Sequence, residues 1–82
     1  MKYKLIKTIV NVKTHAVQQS VDICNNEEEL TRYWKELSSY NTMIYGGVSD
    51  KIDDAEYYIQ SGKIKGTNCI ITVMQYTLNY LP

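Results

Sequence analysis

One strongly marked amphipathic helix, in a chain otherwise patterned for strands, most constrains how this sequence can fold. Asn26 is suited to cap the helix, and Glu29 can reach back to complete a capping box. Apolar side chains then recur at the i, i+3, i+4 and i+7 spacing of one helix face: Leu30, Tyr33, Trp34 and Leu37. A helix with one apolar stripe packs against another element. We therefore predict a helix that begins after Asn26, ends near Tyr40 and Asn41, and lies on a sheet.

The segment before the helix predicts a β-hairpin. Residues 2–13 are rich in β-branched side chains and contain neither Gly nor Pro, which favours a long strand. Its apolar side chains fall on both faces, so we expect a bulge or a change of buried face within it. A turn over residues 14–16 leads to residues 17–24, where apolar and polar side chains alternate as in a half-buried strand.

Two further strands are predicted after the helix, with an ambiguous segment between them. Residues 42–48 have strand character and contain two adjacent glycines, where the backbone can turn or bulge. Residues 51–65 allow two interpretations: a helix ended by Gly62, which we favour, or a hairpin that turns at Ser61 and Gly62. Residues 68–81 predict the last and longest strand.

These elements predict an α+β fold in the order β-β-α-β-α-β. A chain of 82 residues fits one domain over residues 1–82, with an antiparallel sheet of about four strands and one or two helices packed on one face. We expect the helix stripe to pack on apolar residues of the neighbouring strands: Val21, Ile23, Ile70 and Met74. The longest apolar runs have three residues, whereas a membrane span needs about twenty, so we expect a soluble protein with no membrane partner.

The two cysteines and the N-terminal residues indicate a cytoplasmic protein. Cys24 and Cys69 are too few and too far apart for a secreted disulfide scaffold. We expect buried free thiols, and the sequence leaves open whether the two approach each other in space. The lysine-rich beginning contains no hydrophobic region of signal-peptide length, which favours a protein that is not exported.

The sequence contains no recognisable catalytic, metal or nucleotide motif. The only histidine, His15, lies in the first predicted turn, and a thiol or hydroxyl nucleophile needs a base beside it. One histidine and two distant cysteines do not make a zinc site, and Asp50, Asp53 and Asp54 lack the spacing of a calcium loop. We therefore predict a protein that is not an enzyme and needs no cofactor or metal.

Two charged surfaces remain as candidate binding sites. The first combines carboxylates with aromatic rings: Asp50, Asp53, Asp54, Glu56, Tyr57 and Tyr58. One acid suffices for a helix cap, so four crowded acids favour a surface that binds basic groups, with the tyrosines supplying contact area. The second consists of lysines near the start of the chain: Lys2, Lys4, Lys7 and Lys13. These lysines favour nucleic-acid binding as the alternative, although the formal net charge of zero argues against strong phosphate binding.

The chain as a whole resembles the small proteins that bacteriophages use against host defence, including anti-CRISPR proteins. The resemblance rests on its size, its content of Lys, Ile, Asn and Tyr, and its acidic and aromatic patches, and no motif carries it. It implies a non-catalytic inhibitor that binds a host protein or ribonucleoprotein complex in the bacterial cytoplasm. We therefore predict a protein-binding module that acts through the acidic-aromatic surface. The alternatives are a nucleic-acid-binding module and a self-associating structural protein such as a homodimer.

Overall fold

Five antiparallel strands and one helix form the part of the chain that the computed structural model describes. It describes residues 2–39, 42–52 and 55–78, with side chains for residues 2–39 and 57–78. The strands are β1 (Lys2–Asn11), β2 (Val17–Cys24), β3 (Thr42–Ile52), β4 (Ala55–Ile64) and β5 (Cys69–Leu78), and the helix is α1 (Glu27–Ser38). The strand order across the sheet is β2-β1-β5-β4-β3. The α+β class with an antiparallel sheet is therefore confirmed.

The first hairpin is confirmed, and Asn11 organises its turn. The Asn11 Oδ1 accepts hydrogen bonds from the backbone N–H groups of Lys13 and Thr14, both at 3.0 Å. His15 then adopts a positive φ of 64°, and its N–H donates to the Asn11 carbonyl. The short polar side chain of Asn11 thus satisfies the turn backbone and reverses the chain without a glycine.

Helix α1 begins where the capping residues predict. The Asn26 Oδ1 accepts from the backbone N–H of Glu29 at 2.9 Å, and the Glu29 carboxylate accepts from the backbone N–H of Asn25 at 2.7 Å. These reciprocal bonds act as a capping box, with the return bond one residue earlier than in the usual motif. Ser39 caps the other end through hydrogen bonds to the Glu36 and Leu37 carbonyls. The helix therefore ends close to the predicted position.

The predicted second helix is wrong, and the alternative hairpin is wrong in the position of its turn. Residues 51–65 contain the end of β3 and the whole of β4, which pairs with β3 on one side and β5 on the other. Ser61 and Gly62, the proposed turn, lie inside β4. The apolar residues of this segment fit a helical spacing, but backbone pairing on both sides of the strand outweighs that local preference. The element order is therefore β-β-α-β-β-β.

Glycines shape the backbone at two places in this half of the chain. The register between β3 and β4 shifts between Ile44 and Gly46, which confirms the expected irregularity at the paired glycines. Gly66 has a φ of 80° in the turn between β4 and β5, a conformation that residues with a side chain rarely adopt. The Thr67 N–H donates to the Ile64 carbonyl at 3.2 Å and closes that turn.

The helix covers the face of the sheet opposite to the one predicted. The buried side chains of the core are Tyr3, Leu5, Cys24, Leu37, Ile71 and Val73. Val21, Ile23 and Ile70, which we expected beneath the helix, are 54, 50 and 42 % exposed, and Met74 lies in register with them on the far face. Side chains alternate across a sheet, so a one-residue difference in phase exchanges the two faces. The predicted core is wrong because β1 and β5 are apolar on both faces.

Trp34 joins the helix to the sheet. Its Nε1–H donates to the Gln75 Oε1 at 2.8 Å. Its ring meets Tyr33 and Tyr58 edge-on, with ring centroids 6.0 and 5.9 Å away. The predicted helix stripe is confirmed as the packing face, since Leu37 is buried and the other stripe residues pack against the core. Gln75 is a polar residue of β5, and its hydrogen bond to Trp34 favours the face that α1 covers.

Candidate functional site

The sheet face away from α1, which we call the open face, is covered by none of the described elements. Residues in register across β2, β1, β5 and β4 form rows on it. One row contains Val21, Ile6, Met74 and Ile59. The next row contains Ile23, Lys4, Tyr76 and Tyr57. A third row, nearer the β1–β2 turn, contains Val17, Val10, Ile70 and Lys63. Apolar side chains therefore predominate in these three rows of the open face.

Large apolar side chains of the open face stay in contact with water. Val17 is 62 % exposed, whereas Leu5, beneath α1, is 0 % exposed. An antiparallel sheet with one solvated face usually alternates apolar side chains inward with polar side chains outward. Here β2 has the reverse arrangement, because its valines and isoleucine lie on the open face and Gln18, Ser20 and Asp22 lie on the face of α1. Several large exposed apolar side chains on one face mark a candidate interaction site.

A polar row crosses the open face between the apolar rows. Gln19 Nε2 donates to Thr8 Oγ1 at 3.3 Å, and the hydroxyls of Ser61 and Thr72 share a hydrogen bond of the same length. Thr8 and Thr72 are partners across β1 and β5, so the two pairs lie side by side. Because these polar groups already have partners within the row, another surface can cover them with fewer unpaired groups.

The charges of the open face are all positive among the side chains that the structure describes. Lys2, Lys4 and Lys63 lie on it, and no described carboxylate does. Lys4 is half-buried between Ile23 and Tyr76. A lysine in this position covers apolar neighbours with its aliphatic chain while its ammonium group reaches water. The open face therefore combines apolar rows with a few cations.

The tyrosines of the predicted acidic-aromatic surface lie on opposite faces of the sheet. Tyr57 lies on the open face, and its ring is tilted against that of Tyr76 at a centroid distance of 6.5 Å. Tyr58 contacts Trp34 on the face of α1. The side chains of the four predicted acids lie outside the described residues: Asp50, Asp53, Asp54 and Glu56.

The lysines of the alternative surface do not share one face. Lys2 and Lys4 lie on the open face, whereas Lys7 lies on the face of α1 and borders a cleft beside Asp22. Lys13 belongs to the β1–β2 turn, where its backbone N–H donates to Asn11. The structure thus brings Lys2 and Lys4 together and separates them from the other two.

The cleft beside Lys7, between β2 and α1, has a volume of about 320 Å³ and contains two perturbed ionisable groups. The Tyr33 hydroxyl is buried there, without a hydrogen-bond partner among the described residues. Burial, followed by the Asp22 carboxylate and Cys24, raises the pKa of Tyr33 to about 12. Burial, followed by the Glu29 and Asp22 carboxylates, also raises the pKa of the Cys24 thiol. Both groups stay protonated at neutral pH, which is the opposite of what a nucleophilic thiol needs.

The cysteines and the histidine lie apart. Cys24 pairs in register with Tyr3 and Cys69 with Asn11, which places the two cysteines about 27 Å apart along β1. A disulfide needs Cα atoms within about 7 Å, so these thiols cannot form a bridge in this fold. His15 lies in the turn beyond Asn11, at the other end of β1 from Cys24. Across the part of the chain that the structure describes, no three His, Cys, Asp or Glu side chains are grouped so as to hold a metal ion.

Sequence reasoning missed the open face because it assigned these residues to the core. The available signal was that β1 and β5 are apolar on both faces, whereas one helix covers only one face of a sheet.

None of the helices in the described ranges is long and apolar enough to cross a membrane. Comparison of the whole chain with protein-family models, with curated proteins and with solved structures finds no match in any of the three.

Proposed function

We propose that this chain is a non-catalytic protein-binding module whose docking surface is the open face of the sheet. The observation that carries the proposal is the exposure of Val17, Val21, Ile23 and Ile70 on one continuous face. Fully burying one side chain of this class contributes about 1.5 to 3 kcal/mol, so several together favour contact with another protein.

The proposal includes an inhibitor that binds a host protein or ribonucleoprotein complex in the bacterial cytoplasm. Its support is the resemblance in size and composition to phage proteins that act against host defence. Two residues of the predicted acidic-aromatic surface support a contact at this side of the sheet, because Tyr57 lies on the open face and Asp50 is its backbone partner across β3 and β4. Binding would bury the apolar rows together with Tyr57.

The state of the thiol supports the non-catalytic part of the proposal. The pKa of Cys24 is raised, mainly by burial, and His15 lies at the other end of β1. Nucleic-acid binding has less support, because Lys7 and Lys13 do not share the face of Lys2 and Lys4. Phosphate binding requires several cations that converge on one surface.

Variant-dependent capture from a bacterial lysate tests the proposal. The open-face variant is Val21→Lys with Ile23→Lys, and the control is Gln18→Lys with Ser20→Lys, which adds the same charge to the other face of β2. We expect the wild type and the control to retain the same partner, identified by mass spectrometry, and the open-face variant to lose it. Equal capture by all three proteins contradicts the proposal.

Two further variants assign the edges of the site. Replacing Asp53, Asp54 and Glu56 with lysine should weaken capture and change its salt dependence if residues 50–58 border the interface. Retained partner binding by the open-face variant, together with loss on changing Lys2 and Lys4 to glutamate, would instead favour the nucleic-acid-binding alternative.

A further inference from the structure

The open face is large enough to form a protein interface by itself. Each partner in an interface of standard size buries roughly 800 Å² of its accessible surface. On the open face, Val17, Val21, Ile23 and Ile70 are 62, 54, 50 and 42 % exposed, so apolar area is available there for burial.

The dimensions of the open face match that interface area. Neighbouring strands lie about 4.8 Å apart and each residue advances about 3.3 Å, so a five-stranded sheet with strands of about ten residues presents a face of about 700 to 800 Å². A face of this size can pack against an identical face. Two sheets that pack face to face lie about 10 Å apart, with strand directions within about 30°.

We propose that the open face binds the open face of a second copy of this chain, forming a sheet-on-sheet homodimer with α1 on each outer side. The inference rests on the proposed function, since it names an occupant of the same docking surface, for which a host partner would compete. A twofold contact presents the same patch from each copy, so the apolar rows of one copy meet apolar rows of the other. The polar row is compatible with burial, because Gln19 bonds Thr8 and Ser61 bonds Thr72 within each copy.

The lysines of the open face make a second copy distinguishable from a foreign partner. Each copy brings Lys2, Lys4 and Lys63, and no described carboxylate lies on that face to pair with them. The cations of the two copies repel each other at low salt, so added salt should strengthen the dimer. Lys4→Met keeps the aliphatic volume and removes one charge per copy, so it should also strengthen the dimer. A foreign partner with an acidic rim would show the opposite dependence on both.

Sedimentation equilibrium of the purified full chain, over a wide range of micromolar concentrations, tests this inference. We expect the wild type and the Gln18→Lys, Ser20→Lys control to have twice the monomer mass of 9.5 kDa at the upper end of the range. The Val21→Lys, Ile23→Lys variant should raise the Kd about 100-fold or more, because each substitution acts twice in a symmetric contact. Both positions are half exposed in the single chain, and circular dichroism checks that each variant is folded.

Two results would overturn the inference. A wild-type chain that stays monomeric throughout the range excludes the second copy, while loss of lysate capture by the open-face variant would still uphold the proposed function. If Val21→Lys and Ile23→Lys leave the dimer unchanged, the contact between the copies lies elsewhere, for example at the unpaired edge of β2. A dimer that depends on the open face, strengthens with salt and strengthens with Lys4→Met supports the inference.

Discussion

The hydrogen bond between Trp34 and Gln75 provides a test of how α1 is held on the sheet. Trp34→Phe removes the indole donor and keeps an aromatic ring near Tyr33 and Tyr58. Gln75→Leu removes the acceptor and keeps a side chain of similar length. The double variant completes a thermodynamic cycle that isolates the coupling between the two residues.

The expected magnitudes follow from the 2.8 Å bond and its half-buried surroundings. Each single variant leaves one polar group without its partner, which costs about 1 to 2 kcal/mol in the free energy of unfolding. The double variant leaves neither group unpaired, so its cost should fall below the sum of the two by about 1 kcal/mol. Trp34→Ala also loses both edge-on ring contacts and should cost about 3 kcal/mol, at the low end for a tryptophan because the ring is only half-buried.

Urea unfolding followed by far-ultraviolet circular dichroism, at one fixed protein concentration, measures all five proteins. Equal m-values across the set would show that the variants change stability rather than the extent of unfolding. Strictly additive costs would refute the hydrogen bond between Trp34 and Gln75. Unchanged stability of Trp34→Ala would refute the docking of α1 on this face.

Three further outcomes are expected from the remaining packing and ionisation. Leu5→Ala should lower the free energy of unfolding by about 2 to 5 kcal/mol, whereas Ile70→Ala should lower it by less than about 1 kcal/mol in a dilute sample. Urea unfolding measures both, and the reverse order would contradict the assigned faces. Tyr33→Phe should match or slightly exceed the wild type at neutral pH, because the hydroxyl is buried without a described partner. Folding raises the pKa of Tyr33 from 10.0 to about 12. The stability contributed by the protonated hydroxyl is therefore complete below pH 10 and declines as the pH rises toward 12. Urea unfolding across that range should show a steeper loss of stability for the wild type than for Tyr33→Phe. A thiol reagent should modify Cys69 faster than the buried Cys24. Mass spectrometry after mild oxidation should find no disulfide within one chain, and a monomer with such a disulfide would contradict the sheet register.

The sequence predicts local structure well where backbone groups and nearby side chains decide the outcome. Asn26 and Glu29 locate the start of α1, because both interactions of the cap lie within a few residues. The first hairpin is similarly predictable from its alternating second strand, with Asn11 supplying the turn. Strand β4 is not predictable in this way, because its apolar spacing also fits a helix and only its pairing with β3 on one side and β5 on the other selects the strand.

The choice of buried face could not be predicted from periodicity. Ile71 and Val73 are buried beneath α1 while Ile70 and Met74 lie on the open face, and both pairs are equally apolar in the sequence. Only long-range contacts decide between them, such as the bond from Trp34 to the helix side of β5. The candidate site was missed for the same reason. Of the predicted acidic-aromatic residues, Tyr57 belongs to the open face, whereas Tyr58 packs against the helix. Of the predicted lysines, Lys2 and Lys4 also belong to the open face.

Solvent attenuation of methyl NMR signals by a soluble paramagnetic probe tests the central claim, that α1 covers one face and leaves the other to a partner. We expect the methyl groups of Leu5 and Val73 to be protected at every protein concentration, since both are buried within the single chain. Those of Val21, Ile23 and Ile70 should be attenuated in a dilute sample and become protected as the concentration rises. Protection of these three in a dilute monomer would contradict the assigned faces, and attenuation at every concentration would contradict burial against a second copy.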